Sequence, residues 1–236
     1  MKSLTVIFSF NTPRRTYRCY NELLLRNPAW NELLVLDNSS RANVARTPHT
    51  IWIGDGNIGH GGMIDWVLRQ NLSQYDFVGM VNNDTFDYAP GFVGRLLSHA
   101  GHDTGIISPA IKPGGSMWPT MLHDNRATVR PHNFIETIAP WYSRPLIEAM
   151  KNLCPFEYFG QIDRAVSIVS CRLGLQNVIV NSLPITHEAG AGRVELGTVS
   201  DYHSRWRETV KAWYDANPEL AGLENVWPDQ INSTNW

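Results

Sequence analysis

The chain has 236 residues, of which 43% are hydrophobic and 18% charged, so it can bury a substantial core and is not an intrinsically disordered chain. Its formal net charge of -2 excludes the basic composition typical of tight, non-specific nucleic-acid binding, but permits a small anionic substrate. Three cysteines without CxxC spacing and the lack of a long apolar window predict a cytoplasmic protein. We expect no disulfide framework, no zinc site and no stable membrane insertion.

Short apolar runs alternate with amphipathic stretches over about the first hundred residues, which is the pattern of an α/β domain. Runs that are apolar at every position predict strands buried on both faces, as in a largely parallel sheet. The second half is less regular and contains a long loop, 112–130, of a length that is often functional. In chain order, we predict strands at 4–10, 32–36, 50–53, 77–81, 106–111 and 177–181, and helices at 17–26, 63–70, 91–99, 144–150, 162–173 and 201–216.

The strand at 77–81 ends in Asn82, Asn83 and Asp84. Ligands of open α/β sheets bind at the carboxyl ends of the strands, so these side chains lie where chemistry is expected. A carboxylate there can hold a hard divalent cation, and the cation can hold a diphosphate. Because the strand is apolar up to that point, the pattern favours a metal site over simple turn chemistry.

Three other polar residues allow both a functional and a structural interpretation. Asp37 ends a strand and either contacts a nucleobase or ribose or closes an Asx turn. Asp163, in the first turn of a predicted helix, is either a general base or a carboxylate favoured by the helix dipole. His187 precedes a glycine-rich stretch and either completes a cation site with Asp84 or is an ordinary surface or core histidine. The glycine run 54–62 lets backbone approach a ligand, but it lacks GxGxxG spacing and a P-loop lysine.

In their order along the chain, these motifs resemble the inverting, nucleotide-sugar-dependent glycosyltransferases of family 2, which have a GT-A fold. The resemblance extends over residues 4–192 and is carried by Asn11, 36–40, Asn57 and Gly59 with Gly61 and Gly62, 81–84, 159–163 with Arg172 and Gly174, and His187. It implies one α/β, GT-A-like domain over 1–236, with a mostly parallel central sheet flanked by helices. A Rossmann-like nucleotide-binding half would occupy 1–100, an acceptor-binding and catalytic half 101–200, and a C-terminal helix and tail 201–236.

The resemblance also implies roles for individual residues. Asp84 and His187 would hold Mn²⁺ or Mg²⁺ against the diphosphate, and Asp163 would be the catalytic base. The implied donor-binding residues are Phe10, Asn11, Asp37, Asn57, Gly59, Asn82 and Asn83.

Two departures from the family pattern bear on these roles. Asn82 replaces the first aspartate of the DxD motif, which leaves one direct carboxylate for the metal. The acidic residue that often precedes the base is also missing, so the base assignment depends on Asp163 alone.

Acceptor recognition is expected in the second half of the chain, where aromatic rings could stack on sugar faces and polar groups could bind hydroxyls. Ordinary core packing is the alternative for the rings. The candidates are Trp118, Trp141, Tyr142, Arg144 and Tyr158, with His123 as a further polar group.

The favoured partners are a UDP-sugar donor and a saccharide or glycan acceptor. One alternative keeps the chemistry but uses a modified base in DNA, for which Arg14, Arg15 and Arg18 form a local basic cluster. Another is a catalytically inactive nucleotide-sugar-binding module. A nucleotidyltransferase is disfavoured, because the segment 11–15 after the first strand lacks the expected glycines.

Overall fold

A nine-stranded mixed sheet flanked by helices forms the centre of the protein. The structure is a computed structural model that describes residues 1–40, 44–54, 56–114, 119–125, 127–153, 162–188 and 210–223. The strands are β1 (Ser3–Ser9), β2 (Asn31–Asp37), β3 (Thr50–Trp52), β4 (Phe77–Asn82), β5 (Thr85–Phe86), β6 (Thr104–Ile111), β7 (Val129–Pro131), β8 (Trp141–Ser143) and β9 (Gln176–His187). The helices are α1 (Pro13–Leu24), α2 (Gly59–Leu68), α3 (Phe92–Leu97), α4 (Arg144–Lys151) and α5 (Ile162–Arg172), and residues 210–215 are also helical.

The sheet has the strand order β3-β2-β1-β4-β8-β6-β9-β5, with β7 paired to β9. The first four strands in this order are parallel, as predicted, and β6 is parallel to β9. The short strand β8 lies antiparallel between β4 and β6 and joins the two halves. The parallel first half of the sheet therefore continues into a mixed second half through one inserted strand.

Burial explains why the first strands were readable from the sequence. All seven residues of β1 are buried, so the strand is apolar or small on both faces. The helix α1 begins at Pro13, four residues before the predicted start, because a proline at the first helical position already has the required φ angle. The helix α2 begins inside the glycine run, at Gly59, where φ is +72°.

The three-residue strand β3 was predicted at 50–53, whereas the short strands β5, β7 and β8 were not predicted. Their two or three residues are too few to show a period, and β7 lies in the segment predicted as a loop. The strand β9 is longer than predicted and continues through Pro184 to His187. Its ladder with β6 is irregular there, since Pro109 pairs with Val180 but Ile111 pairs with Ile185. Of the predicted C-terminal helix, residues 201–209 lie outside the described part of the chain.

One hydrophobic cluster runs from Leu4 in β1 to Leu220 near the end of the described chain. Both halves of the sheet contribute to it, so they share one core. None of the helices formed by the described residues is both long and apolar enough to cross a membrane.

Gly79, in the middle of β4, gives space to a buried tryptophan. It is the cross-strand partner of Trp141, whose Nε1 donates a hydrogen bond to Thr5 Oγ1 at 3.2 Å. A Cβ atom at position 79 would lie 2.3 Å from the indole ring. We therefore expect Gly79→Ala to lower the free energy of unfolding by about 3 kcal/mol in urea denaturation, the upper range for overpacking.

Gly94→Ala is the matched control for this prediction. Its Cβ would be 3.7 Å from the nearest atom, an ordinary contact, in the interior of α3. We expect this variant to be neutral or stabilised by up to about 1 kcal/mol. Equal stability of the two variants would contradict the packing account.

Candidate active site at the carboxyl edge of the sheet

The side chains of Asp84 and His187 meet at the carboxyl end of β4. His187 Nε2 lies 3.4 Å from Asp84 Oδ1, and the two side chains are only 11% and 17% exposed, respectively. The backbone fixes this proximity, because Thr85 pairs with His187 across β5 and β9, and Glu188 N–H donates to the Asp84 carbonyl at 2.9 Å. The two residues that the sequence predicted to share a cation are thus brought together from positions far apart in the chain.

The chemistry of this pair fits a divalent cation. Asp84 Oδ1 is buried and accepts no hydrogen bond with good geometry from the described residues. A buried carboxylate oxygen without a donor is costly, and a bound cation would satisfy it. No third histidine, cysteine, aspartate or glutamate joins the pair among the described residues. Oxygen atoms of a diphosphate and of water would therefore have to supply the remaining ligands, as is common for Mg²⁺.

Asn82 and Asn83 hold the end of β4 against its neighbours. Asn82 N–H donates to the Ile138 carbonyl at 2.9 Å. The Asn83 carboxamide donates to the hydroxyls of Thr12 and Thr16 in and before α1, both at 2.7 Å. Asn83 therefore fixes the position of the first helix relative to the site.

Asp37 is fully buried and closes the turn that the structural interpretation anticipated. Its two carboxylate oxygens accept hydrogen bonds from the backbone N–H and the hydroxyl of Ser40, each at 2.8 Å. Ser40 Oγ in turn accepts from Asn11 N–H at 2.8 Å. The turn after β2 is thus hydrogen-bonded to the Phe10–Asn11 loop after β1, as two walls of one pocket would be. Asp37 is connected to this loop through Ser40.

A second set of hydrogen bonds joins this turn to the start of α2. The Asn38 carboxamide donates to Asn57 Oδ1 at 2.7 Å, and its oxygen accepts from Ile58 N–H at 3.0 Å. Asn57 Oδ1 also accepts from Gly59 N–H at 2.8 Å. Asn57 and Gly59 therefore lie beside the Asp37 turn. The Asn57 side-chain oxygen is itself occupied by hydrogen bonds from other residues of the protein.

His60 is a residue of this region that sequence analysis did not select. Its ring packs edge-on against Phe8 with the centroids 5.4 Å apart. Burial lowers its pKa to about 4, and the nearby Asp84 carboxylate only partly opposes this shift, so the imidazole is neutral at pH 7. The sequence feature that could have identified His60 is its position as a titratable residue within the glycine run 54–62.

Asp163 lies in the first turn of α5, and its partly buried carboxylate accepts a hydrogen bond from Thr137 N–H. The next residue, Ile138, accepts from Asn82 N–H at the end of β4. Two consecutive residues therefore connect the predicted base to the predicted metal site. Burial raises the pKa of Asp163 to about 6, against the opposing effects of backbone hydrogen bonds and the Arg164 charge.

Of the candidate acceptor residues that the structure describes, Trp141, Tyr142 and Arg144 do not lie at this edge. Trp141 and Tyr142 are 0% and 1% exposed, so the structure favours core packing over sugar stacking for both rings. Arg144 binds Asp76 and the Tyr75 carbonyl just before β4 begins. A six-residue strand spans about 20 Å, so Arg144 lies at the opposite edge of the sheet from Asp84.

The other aromatic candidates, Trp118 and Tyr158, lie outside the described residues. His123 follows β6, and its backbone N–H donates to the Ile111 carbonyl at 2.8 Å. It is thereby placed at the carboxyl end of β6.

No protein-family model matches the chain, and no curated protein sequence matches it either. Solved structures do. Mannosyltransferase PcManGT from Pyrobaculum calidifontis, in complex with GDP-Man and Mn²⁺, is 11% identical with a TM-score of 0.56, over 83% of this chain and 60% of its own. S. aureus TarS in complex with UDP-GlcNAc is 14% identical with a TM-score of 0.63, over 92% of this chain and 64% of its own. GalNAc-T7 with UDP, GalNAc and Mn²⁺ is 12% identical with a TM-score of 0.62, over 79% and 44%.

This chain spans between 44% and 64% of the length of these three neighbours. Identities this low show a shared fold and leave the activity to be argued from the site. The predicted α/β architecture is confirmed: the chain has the GT-A fold seen in these glycosyltransferase structures.

Proposed function

We propose that this chain is an inverting, metal-dependent glycosyltransferase of the family 2 kind, which moves a sugar from a nucleotide-diphosphate sugar to an acceptor hydroxyl. The observation that carries the proposal is the pair formed by Asp84 and His187 at the carboxyl end of β4, where a buried carboxylate oxygen accepts no hydrogen bond from the residues that the structure describes. The Mn²⁺ in two of the neighbouring structures supports this interpretation of the pair.

Asp84 and His187 would hold Mn²⁺ or Mg²⁺. When bound, the cation supplies positive charge against the negative charge that develops on the leaving diphosphate. The pairing of Thr85 with His187 across β5 and β9 brings these two side chains together. Asn82, in place of a second carboxylate, is expected to make the metal affinity depend strongly on the nucleotide.

Asp163 would act as the general base. Its carboxylate takes the proton of the acceptor hydroxyl while the acceptor oxygen forms a bond to C1 of the sugar. The bond from C1 to the diphosphate oxygen breaks, and the nucleoside diphosphate leaves with that electron pair. Attack from the opposite face inverts the anomeric centre. A pKa of about 6 leaves the carboxylate ionised at neutral pH and still basic enough to accept the proton.

The donor pocket would be formed in the first half of the chain by the Phe10–Asn11 loop, the Asp37 turn, and Asn57 and Gly59 before α2. We favour a UDP-sugar as donor and a saccharide as acceptor, with the enzyme acting in the cytoplasm. A DNA acceptor is less favoured, because Arg15 and Arg18 of the basic cluster are already engaged in ion pairs with acidic residues of the protein.

A thermal-shift screen of nucleoside diphosphates and nucleotide sugars, with and without Mn²⁺, tests the proposal. A ligand at 100 times its Kd stabilises the native state by about 2.7 kcal/mol. For a chain of this size that free energy raises the melting temperature by roughly 5–10 °C. We expect such a shift from one nucleotide family, dependent on Mn²⁺. No shift with any nucleotide would contradict the proposal, and a shift without turnover on any acceptor would favour the inactive binding module.

A further inference from the structure

The end of β9, which carries His187, extends beyond the ladder that β9 forms with β6. The ladder with β6 ends at Ile185, whose carbonyl accepts a hydrogen bond from Lys112 N–H at 2.8 Å. Beyond that point, β9 pairs, among the described strands, with the two residues of β5. A two-residue ladder fixes a strand end weakly, so the position of His187 depends on additional contacts.

Asp87 provides such contacts from three directions. Its Oδ2 accepts hydrogen bonds from the hydroxyl of Thr186, the residue before His187, and from Lys112 Nζ at 2.9 Å. Its Oδ1 lies 3.4 Å from the guanidinium of Arg18, which also packs over the Phe86 ring. One carboxylate therefore joins α1, the end of β6 and the end of β9.

The backbone of Asp87 is also unusual, with φ at +64° in the left-handed region. Aspartate and asparagine are the non-glycine residues that accept this conformation most readily. The turn places Asp87 three residues after Asp84, so the same short segment carries a proposed metal ligand and the contact to the other ligand's strand.

We propose that Asp87 is a positioning residue for the site: through Thr186 and Lys112 it holds the end of β9 so that His187 faces Asp84. This inference rests on the proposed function. It assigns no contact between Asp87 and the substrate or the cation.

The exposure of these groups separates positioning from stability. The side chains of Arg18, Lys112 and Asp87 are 43–49% exposed, and ion pairs at such exposure contribute little to stability. Residues that orient metal ligands, by contrast, typically change metal affinity by about 10- to 100-fold when replaced. A positioning role therefore predicts a large effect on metal-linked binding and a small one on folding.

Asp87→Asn tests this role, because asparagine keeps the size and the tolerance for positive φ but removes the charge. The measurement is the Kd of UDP and of GDP by calorimetry in Mn²⁺ and in EDTA. For each nucleotide, the Kd in EDTA divided by the Kd in Mn²⁺ gives the coupling between metal binding and nucleotide binding. We expect Asp87→Asn to reduce this ratio about tenfold, with the Kd in EDTA unchanged. Thr186→Val, which removes only the hydroxyl contact, should shift the ratio in the same direction and serves if the first variant does not fold.

Asp76→Asn is the matched control. Asp76 has 44% side-chain exposure, close to the 45% of Asp87, and it also pairs with an arginine, but it lies at the opposite end of β4. Its ratio should equal that of the wild type. A wild-type ratio in both Asp87→Asn and Thr186→Val would overturn the inference alone. If the wild type shows no effect of Mn²⁺ on nucleotide binding, both the inference and the proposed metal role are wrong.

Discussion

Replacing Asp163 with asparagine is expected to reduce glycosyl transfer by about 1,000-fold or more, since a positioned general base contributes in the range of 10²–10⁴. Asparagine has the same shape and can still accept the hydrogen bond from Thr137 N–H, but it cannot take a proton from the acceptor. Donor binding should be nearly intact, because the carboxylate is assigned to the acceptor side. Steady-state kinetics and calorimetry on the same preparation measure the two effects separately.

The control for this variant is Asp65→Asn, which changes a carboxylate paired with Arg69 within α2. It should leave both transfer and donor binding unchanged. If Asp163→Asn lost donor binding and transfer to the same extent, Asp163 would be a binding or folding residue and the assignment of the base would be wrong.

The pH dependence of the reaction follows from the same residue. The base acts in its ionised form, so protonation inactivates it as the pH falls through a pKa of about 6. We expect kcat/KM to be level above this value and to fall about tenfold for each pH unit below it. The neighbouring Tyr142 does not titrate in this range, because burial and the Asp163 charge raise its pKa further above its ordinary value.

The residual kcat/KM of Asp163→Asn should not fall in this way below about pH 6. If kcat/KM of the variant fell at the same pH as that of the wild type, the titration would belong to another group.

Replacing Asp84 with asparagine is expected to abolish the effect of Mn²⁺ on nucleotide binding, so that UDP affinity measured with the metal falls by at least about tenfold, to its value in EDTA. The substitution removes the one carboxylate beside His187 and leaves a neutral amide, which is a weaker ligand for a hard cation. UDP affinity in EDTA should remain that of the wild type. Thermal unfolding without ligand checks that the variant is folded.

Asn82→Asp is the informative counterpart, because it restores the second carboxylate that the DxD motif usually has. We expect it to increase the effect of Mn²⁺ rather than decrease it. If Asp84→Asn kept the wild-type response to Mn²⁺, the metal site would have to be elsewhere.

The sequence predicted the parts of the fold that bury continuous apolar runs. The strands β1, β4 and β6 are read directly, because burial on both faces leaves little room for polar residues. The strand β2 is read from its apolar run 33–36, although Glu32 is exposed. The short strand β8 was not predicted, and Trp141 within it was considered for sugar stacking. The burial of Trp141 depends on the space that Gly79 leaves on the neighbouring strand, and the sequence around Trp141 does not show this space.

The proximity of Asp84 to His187 follows a pattern that the sequence shows, a polar residue directly after a buried strand. The role of Asp87 was not predictable, because its partners Arg18, Lys112 and Thr186 are brought together only by the topology of the sheet. Asp163 was selected from the sequence as the base, but its connection to β4, which passes through Thr137 and the Ile138 carbonyl, was not visible there.

Calorimetric titration of the wild-type protein with UDP-GlcNAc, UDP-GalNAc and GDP-Man, each in Mn²⁺ and in EDTA, tests the central claim most directly. The account predicts that at least one donor binds in Mn²⁺ with a Kd near 1 μM, or about -8 kcal/mol, and at least about tenfold more weakly in EDTA. Binding of no nucleotide sugar, or binding of equal strength in EDTA, would contradict a metal-dependent donor site at the carboxyl edge of the sheet.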